Sequence, residues 1–282
     1  MDSFEFCPRS LEPMEPFSPD HFTTHHLTAI LEQAGIPFQD AGVWGALNDR
    51  PLEYVTVPGK VAYQAWQAVR AVVSPQSHPL ILPCNCYPLG QVFPKASDPA
   101  ILRAIDAAVG LDLQQWWSDR WGDYDFENEI DEFEADEWSE LEPADASEGG
   151  GTIATEIPDF TLTRDQLNLS HRPVWLTLFP QIPAWQIPLY LQYGDWNDCP
   201  LPGEHAAILA HWHRYYGAEL FGLDESTLEL WVAEPPTTEI ATLPLAKEQF
   251  AYCEDIVSQG TMTVARLAQT LYQCNHWYFW WD

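Results

Sequence analysis

Apolar residues recur at helical spacing from Phe22 to Ala34, where Leu27, Ile30, Leu31 and Ala34 share one face and Gly35 and Pro37 stop the run. The pattern predicts a short amphipathic helix. Tyr54–Val57 then reads as a strand ended by Pro58 and Gly59, Val61–Arg70 returns to i, i+4 spacing, and His78–Pro83 is a short apolar run of buried-strand type. Strand, helix and strand within about 30 residues predict a β-α-β unit with its helix packed on a parallel pair. Pro99–Val109 is predicted helical, with Asp98 as N-cap and Pro99 at the first position, where a missing amide costs nothing.

Further along, Pro173–Pro180 and the shorter Pro188–Leu191 read as strands. His205–Tyr216 reads as a helix closed by Gly217, and Ala218–Phe221 and Thr227–Val232 as two more strands. Leu245–Tyr252 and Val264–Tyr272 are predicted helices, followed by the aromatic run Trp277-Tyr278-Phe279-Trp280-Trp281-Asp282. Docking of that run in the core is the expectation, because two buried indoles make a chain segment that does not fray.

Between these regions the pattern changes. Asp119–Glu148 is dense in carboxylates interleaved with Trp121, Tyr124, Phe126, Phe133 and Trp138, and runs into Gly149-Gly150-Gly151. Strands and helices are predicted on both sides of it, so neither half is complete alone. The expected class is α+β: a single mixed-sheet domain flanked by helices and interrupted by an acidic insertion. The parts are a proline-rich acidic arm (1–20), an N-terminal part of the core (21–118), the insertion or linker (119–165) and a C-terminal part of the core (166–282). Two domains joined by a linker is the alternative.

Composition narrows the functional classes. Forty-two acidic residues against twelve Lys and Arg give a net charge of -30, which repels nucleic acid and anionic membranes, so a partner steered by charge is basic. The opening Met1-Asp2-Ser3-Phe4-Glu5 lacks a basic n-region and no window of about 20 apolar residues exists, so a cytoplasmic protein without membrane spans is expected. Six cysteines in 282 residues do not resemble a small disulfide scaffold, and thiols are expected. No Gly-x-Gly-x-x-Gly, Walker loop, Gly-x-Ser-x-Gly or His-Glu-x-x-His occurs, and Cys84-Asn85-Cys86 has no second pair to complete a zinc site, so no cofactor or metal is expected.

The densest polar constellation is Tyr193-Gly194-Asp195-Trp196-Asn197-Asp198-Cys199-Pro200, just before a predicted helix. One reading is structural: Asp and Asn side chains bond their own turn and cap the helix, while Trp196 anchors the loop. The other is chemical. Asp195, Asp198 and Cys199 are then catalytic candidates, with a thiol activated by the nearby helix terminus and by His211 or His213 as base.

Gly194–Pro200, His211-Trp212-His213-Arg214-Tyr215-Tyr216-Gly217-Ala218-Glu219-Leu220, Pro235-Pro236-Thr237-Thr238, Leu245–Cys253 and the closing Trp-Trp-Asp together resemble the domain-of-unknown-function family DUF4253. The resemblance covers about Pro173–Asp282, and Val57–Pro83 is faintly similar to the family's first portion. It implies a bacterial cytosolic protein in which the 196–200 loop and the terminus belong to one architecture, and it carries no catalytic assignment.

Two functions follow as expectations. The first is a non-enzymatic acidic interaction or regulatory protein, of inhibitor or immunity type, that binds a basic protein partner through Trp196, Asn197, Trp121, Tyr124, Phe126, Phe133, Trp138 and Trp281. The alternative is a hydrolase with its carboxylate, Cys and His groups around Asp195–Cys199.

Overall fold

The computed structural model describes residues 25–73, 77–84, 90–122, 124, 126, 163 and 171–282. Within them the elements are α1 (His25–Gln33), β1 (Ala41–Leu47), β2 (Arg50–Pro58), α2 (Ala62–Val72), β3 (His78–Pro83), β4 (Gln91–Val92), α3 (Pro99–Val109), α4 (Leu113–Trp121) and β5 (Pro173–Phe179). There follow α5 (Ile187–Leu191), α6 (Pro202–Tyr216), β6 (Ala218–Leu223), β7 (Thr227–Val232), α7 (Glu239–Tyr252), a π-type turn (Ile256–Thr261), α8 (Val264–Leu271) and β8 (His276–Trp280).

All eight strands join one sheet, in the order β4-β1-β2-β5-β3-β6-β7-β8. The β1/β4 and β3/β6 contacts are parallel and the rest antiparallel, so the expected mixed sheet flanked by helices is present. The predicted β-α-β unit exists in split form. Instead of pairing directly, β2 and β3 both pair antiparallel with β5, which lies between them. A strand from beyond the acidic stretch thus completes the N-terminal unit, and the two sequence halves share one sheet.

Strand alternation decides what each face buries. Val174, Leu176 and Leu178 of β5 join Val55, Val57 and Ile81 under α1 and α2, whose Leu27, Leu31, Ala65, Trp66 and Val69 complete that layer. Trp175 and Phe179 face the other way, with Trp44, Leu80, Leu82, Leu220, Leu228, Leu230, Trp277 and Phe279, beneath the later helices. Three polar groups inside this sandwich are paired: the Trp44 indole donates to Thr177 Oγ1 at 2.8 Å, Thr177 donates to the Glu53 carbonyl at 2.7 Å, and the Trp66 indole donates to the Pro79 carbonyl at 2.8 Å.

Helix ends follow local chemistry. Asp98 Oδ1 accepts the Ala100 N–H at 2.8 Å, with Pro99 in the first turn, as the cap pattern predicts. Replacing Asp98 with alanine is expected to cost about 1 kcal/mol in denaturant unfolding with no change of slope; no loss at all would show the cap idle. Gly217 closes α6 at φ 59, the left-handed conformation that glycine adopts without a Cβ penalty.

One element differs in type. Ile187–Leu191, predicted as strand over Pro188–Leu191, is the short helix α5. Pro188 sits in its first turn, where no amide is required, and Gln192 at φ 52 ends it. The acidic stretch also begins later than its composition suggests: Asp119, Arg120 and Trp121 form the last turn of α4. Among the described residues no helix is long and apolar enough to cross a membrane.

Candidate functional site

The 193–200 loop links α5 to α6, and its sequence explains its path. Gly194 at φ 107 comes so close to α6 that a Cβ there would lie 2.0 Å from the Pro200 carbonyl and 2.9 Å from His205 Nε2. Asp195 (φ 69) and Asn197 (φ 46) are left-handed as well, a conformation their short polar side chains tolerate better than most. Asp195 N–H donates to the Pro200 carbonyl at 3.1 Å and Cys199 N–H to the Trp196 carbonyl at 2.9 Å, closing the loop on itself.

Capping of α6 falls to a different residue from those expected. Glu204 Oε2 accepts the Leu201 N–H at 2.7 Å, and Glu204 Oε1 accepts the Trp116 indole N–H at 2.7 Å. Asp195 and Asp198 are exposed. Asp198 is held through its carbonyl, which accepts from Arg120 at 3.1 Å, while that guanidinium lies 4.5 Å over the Trp116 ring.

Cys199 faces inward. Its Sγ lies 3.4 Å from His205 Nε2, and His205 Nδ1 lies 2.6 Å from the Tyr252 hydroxyl. The thiol is buried, and imidazole and phenol are fully so. Burial, reinforced by the neighbouring Cys253 sulfur, pushes the Cys199 thiol far above its usual range, and burial with the Arg120 charge pushes His205 down to about 3. The arrangement is therefore an uncharged thiol–imidazole–phenol chain.

His211, the base the sequence suggests, lies elsewhere. Its Nε2 is 3.4 Å from Glu248 Oε2 and its ring stands edge-on to Trp117 at 5.0 Å. His213 Nδ1 faces the Ala218 carbonyl at 3.1 Å. His205 was not singled out because it marks only the start of an apolar helix pattern; its position six residues after Cys199, across a proline-initiated turn, is the one available signal.

The terminal aromatics close the site. Trp281 is 2 % exposed, with its ring 5.5 Å from His205, 5.3 Å from Tyr252 and 6.4 Å from Tyr193. Trp281 N–H donates to the Ser226 carbonyl at 3.1 Å, Asp282 N–H donates to Asp255 Oδ2 at 3.0 Å, and Asn197 Nδ2 donates to the Asp282 carbonyl. The loop and the terminus thus form one structure over Cys199 and His205. Residues 176–282 match the family model described as "Domain of unknown function (DUF4253)". The DUF4253 segment contains the loop, the thiol chain and the closing strand, whereas Trp116 and Arg120, which brace the loop, precede it. No curated protein and no solved structure matches the chain.

The remaining predicted binding aromatics are used in packing where they are described. Trp196 is half-buried and edge-on to Tyr193 at 5.0 Å. Trp121 donates its indole N–H to the Lys247 carbonyl at 2.9 Å, Tyr124 packs 4.5 Å from Phe250, and Phe126 lies under the Lys247 ammonium at 4.6 Å. These rings cover α7 and leave only their outer parts to solvent. Phe133 and Trp138 lie outside the described residues. Among the described residues no cluster of His, Cys, Asp and Glu has the makings of a metal site, and Cys84, Cys199, Cys253 and Cys274 are free thiols.

Proposed function

We propose that the chain is an acidic interaction protein, regulatory or inhibitor-like, that binds a basic protein partner and works in the cytoplasm. The observation carrying this reading is the way the fold uses its few cations. Arg70 grips Glu219 with two hydrogen bonds of 2.7 and 2.6 Å, Lys95 pairs with Asp49, Arg172 lies 3.2 Å from Asp224, and Arg120 lies 3.8 Å from Glu204. With these cations spent internally, a charge of -30 leaves the surface field negative, with Asp106, Asp112, Asp119, Asp195, Asp198 and Asp282 all exposed.

A hydrolase built on Asp195, Asp198, Cys199 and His211 has less support. The two carboxylates point to solvent, and His211 serves Glu248 and Trp117.

The test is affinity capture from host lysate with the intact chain and with a variant lacking residues 127–148, a deletion that spares the packed Trp121, Tyr124 and Phe126. The captured protein is then titrated against each chain at low and high salt. A basic protein whose affinity collapses as salt rises supports the proposal, and loss in the deletion variant places its contacts on the acidic stretch. A partner bound equally well at both salt concentrations overturns it.

A further inference from the structure

Cys199, His205 and Tyr252 stand in the order nucleophile, base and base-orienter, a geometry that acidic-surface binding leaves unused. Each comes from a different element: Cys199 from the loop, His205 from the first turn and a half of α6, and Tyr252 from the last turn of α7. Tyr252 fixes Nδ1, so Nε2 is the nitrogen presented to sulfur. Both ring nitrogens of this buried histidine are partnered, one by a thiol and one by a phenol.

The enclosure is specific in kind. Gly194 provides a side-chain-free backbone wall beside His205 Nε2, and the Trp281 ring stands edge-to-face on the imidazole at an interplanar angle of 87°. The Trp281 indole Nε1 is buried and has no hydrogen-bond partner among the described residues. A buried N–H without an acceptor carries a desolvation cost that an incoming carbonyl or carboxyl oxygen would remove. Besides its ring packing and the Trp281 N–H to the Ser226 carbonyl, this cover is held by two side-chain contacts: Asn197 to the Asp282 carbonyl, and Asp282 N–H to Asp255.

We infer that Cys199 is a nucleophile for acyl donors of the ester class, with His205 as its base and Tyr252 as a positioning residue, and that the Trp281–Asp282 segment is the gate over it. Attack of Sγ on the carbonyl carbon forms a C–S bond while His205 Nε2 takes the thiol proton. Collapse breaks the bond to the alkoxide, which leaves with that proton from the imidazolium. Water, deprotonated through the same imidazole, then cleaves the thioester to a carboxylic acid and restores the thiol. Burial keeps both partners neutral at rest and opposes proton transfer while the cover is closed, so the site is silent until Trp281 is displaced.

The full chain is tested with p-nitrophenyl acetate, reading nitrophenolate release and the mass of the Cys199 peptide. Wild type is expected to react no faster than a Cys199→Ser control. Trp281→Ala is expected to release a stoichiometric burst and carry acetyl on Cys199. Adding His205→Gln to Trp281→Ala should slow acetylation on the order of a hundredfold near neutral pH and leave a residual rate that climbs with the thiolate fraction. The inference is overturned if folded Trp281→Ala, judged by near-UV circular dichroism, leaves Cys199 unacetylated, labels Cys253 equally, or ignores the His205 change. Should Trp281→Ala fail to fold, Asn197→Ala with Asp255→Ala removes both side-chain contacts to Asp282 while keeping the ring, and the same outcomes decide.

Discussion

Replacing Trp212 with alanine is expected to lower the unfolding free energy by about 3–5 kcal/mol, read as a lower denaturant midpoint at unchanged slope. The indole is fully buried at the centre of the C-terminal layer. It stacks on Phe279 at 5.4 Å and 11°, and meets Tyr252 edge-on at 5.0 Å and Trp277 at 5.6 Å. Those three rings come from α7 and β8, so Trp212 joins α6 to both, beside the Tyr216–Trp277 contact at 5.4 Å. Its N–H also donates to Glu248 Oε2 at 2.9 Å, and removal leaves that carboxylate to His211 alone. Trp212→Phe separates the two contributions: it keeps a packed ring, loses the N–H, and should cost less than half as much. A loss below about 1 kcal/mol for the alanine variant would mean that the cavity collapses and that the aromatic layer is not the rigid support described here.

That layer was only partly legible in the sequence. Elements whose signals are local came through: Asp98-Pro99 opens a helix, Gly217 closes one, and Leu220 and Leu230 alternate into the same core from a hairpin. Long-range pairing did not. Nothing in Val55–Val57 or Leu80–Leu82 signals that Pro173–Phe179 will enter between them, because both faces of all three strands are apolar and any order would bury them. β1 escapes the pattern since Gly42 and Gly45 dilute its alternation, and Pro188–Leu191 differs from expectation because a short apolar run looks alike as helix or strand.

The site shows the same division. Cys199 stood out as a thiol before a helix, whereas Tyr252 lies 47 residues beyond the histidine it holds, a distance only the tertiary fold can close. Periodicity ranks His205, His211 and His213 equally; what separates them is the direction each faces from α6. Trp121, Tyr124 and Phe126 teach the converse lesson. Aromatics among carboxylates suggest a docking surface, but these rings find Lys247 and Phe250 within the fold, so the core extends at least to Phe126, past the start at Asp119 that charge patterning sets for the insertion.

Glu53→Gln is expected to make the protein relatively more stable as pH rises. Glu53 lies on β2 opposite Val43 of β1, on the strand face it shares with Val55; it is 7 % exposed, and its Oε1 has no partner among the described residues. Burial raises its carboxyl from 4.5 to about 7. Below pH 4.5 the group is protonated folded or unfolded, and no penalty arises. Between 4.5 and 7 the unfolded chain releases the proton while the folded one keeps it, so stability falls with rising pH, and above 7 the loss levels off at about 3 kcal/mol. Glutamine cannot ionise and removes that slope. Two buried histidines act in the opposite sense: His205, held down at about 3, and His78, held down at about 4 by burial, favour the folded state above pH 6.5 and withdraw that support as pH falls. They are common to both proteins, so the informative quantity is variant minus wild type, measured by urea unfolding at pH 5 and pH 8. That difference should grow by up to about 3 kcal/mol between the two values. A difference independent of pH would show that Glu53 is already ionised in the folded protein and finds water or a cation that its burial hides.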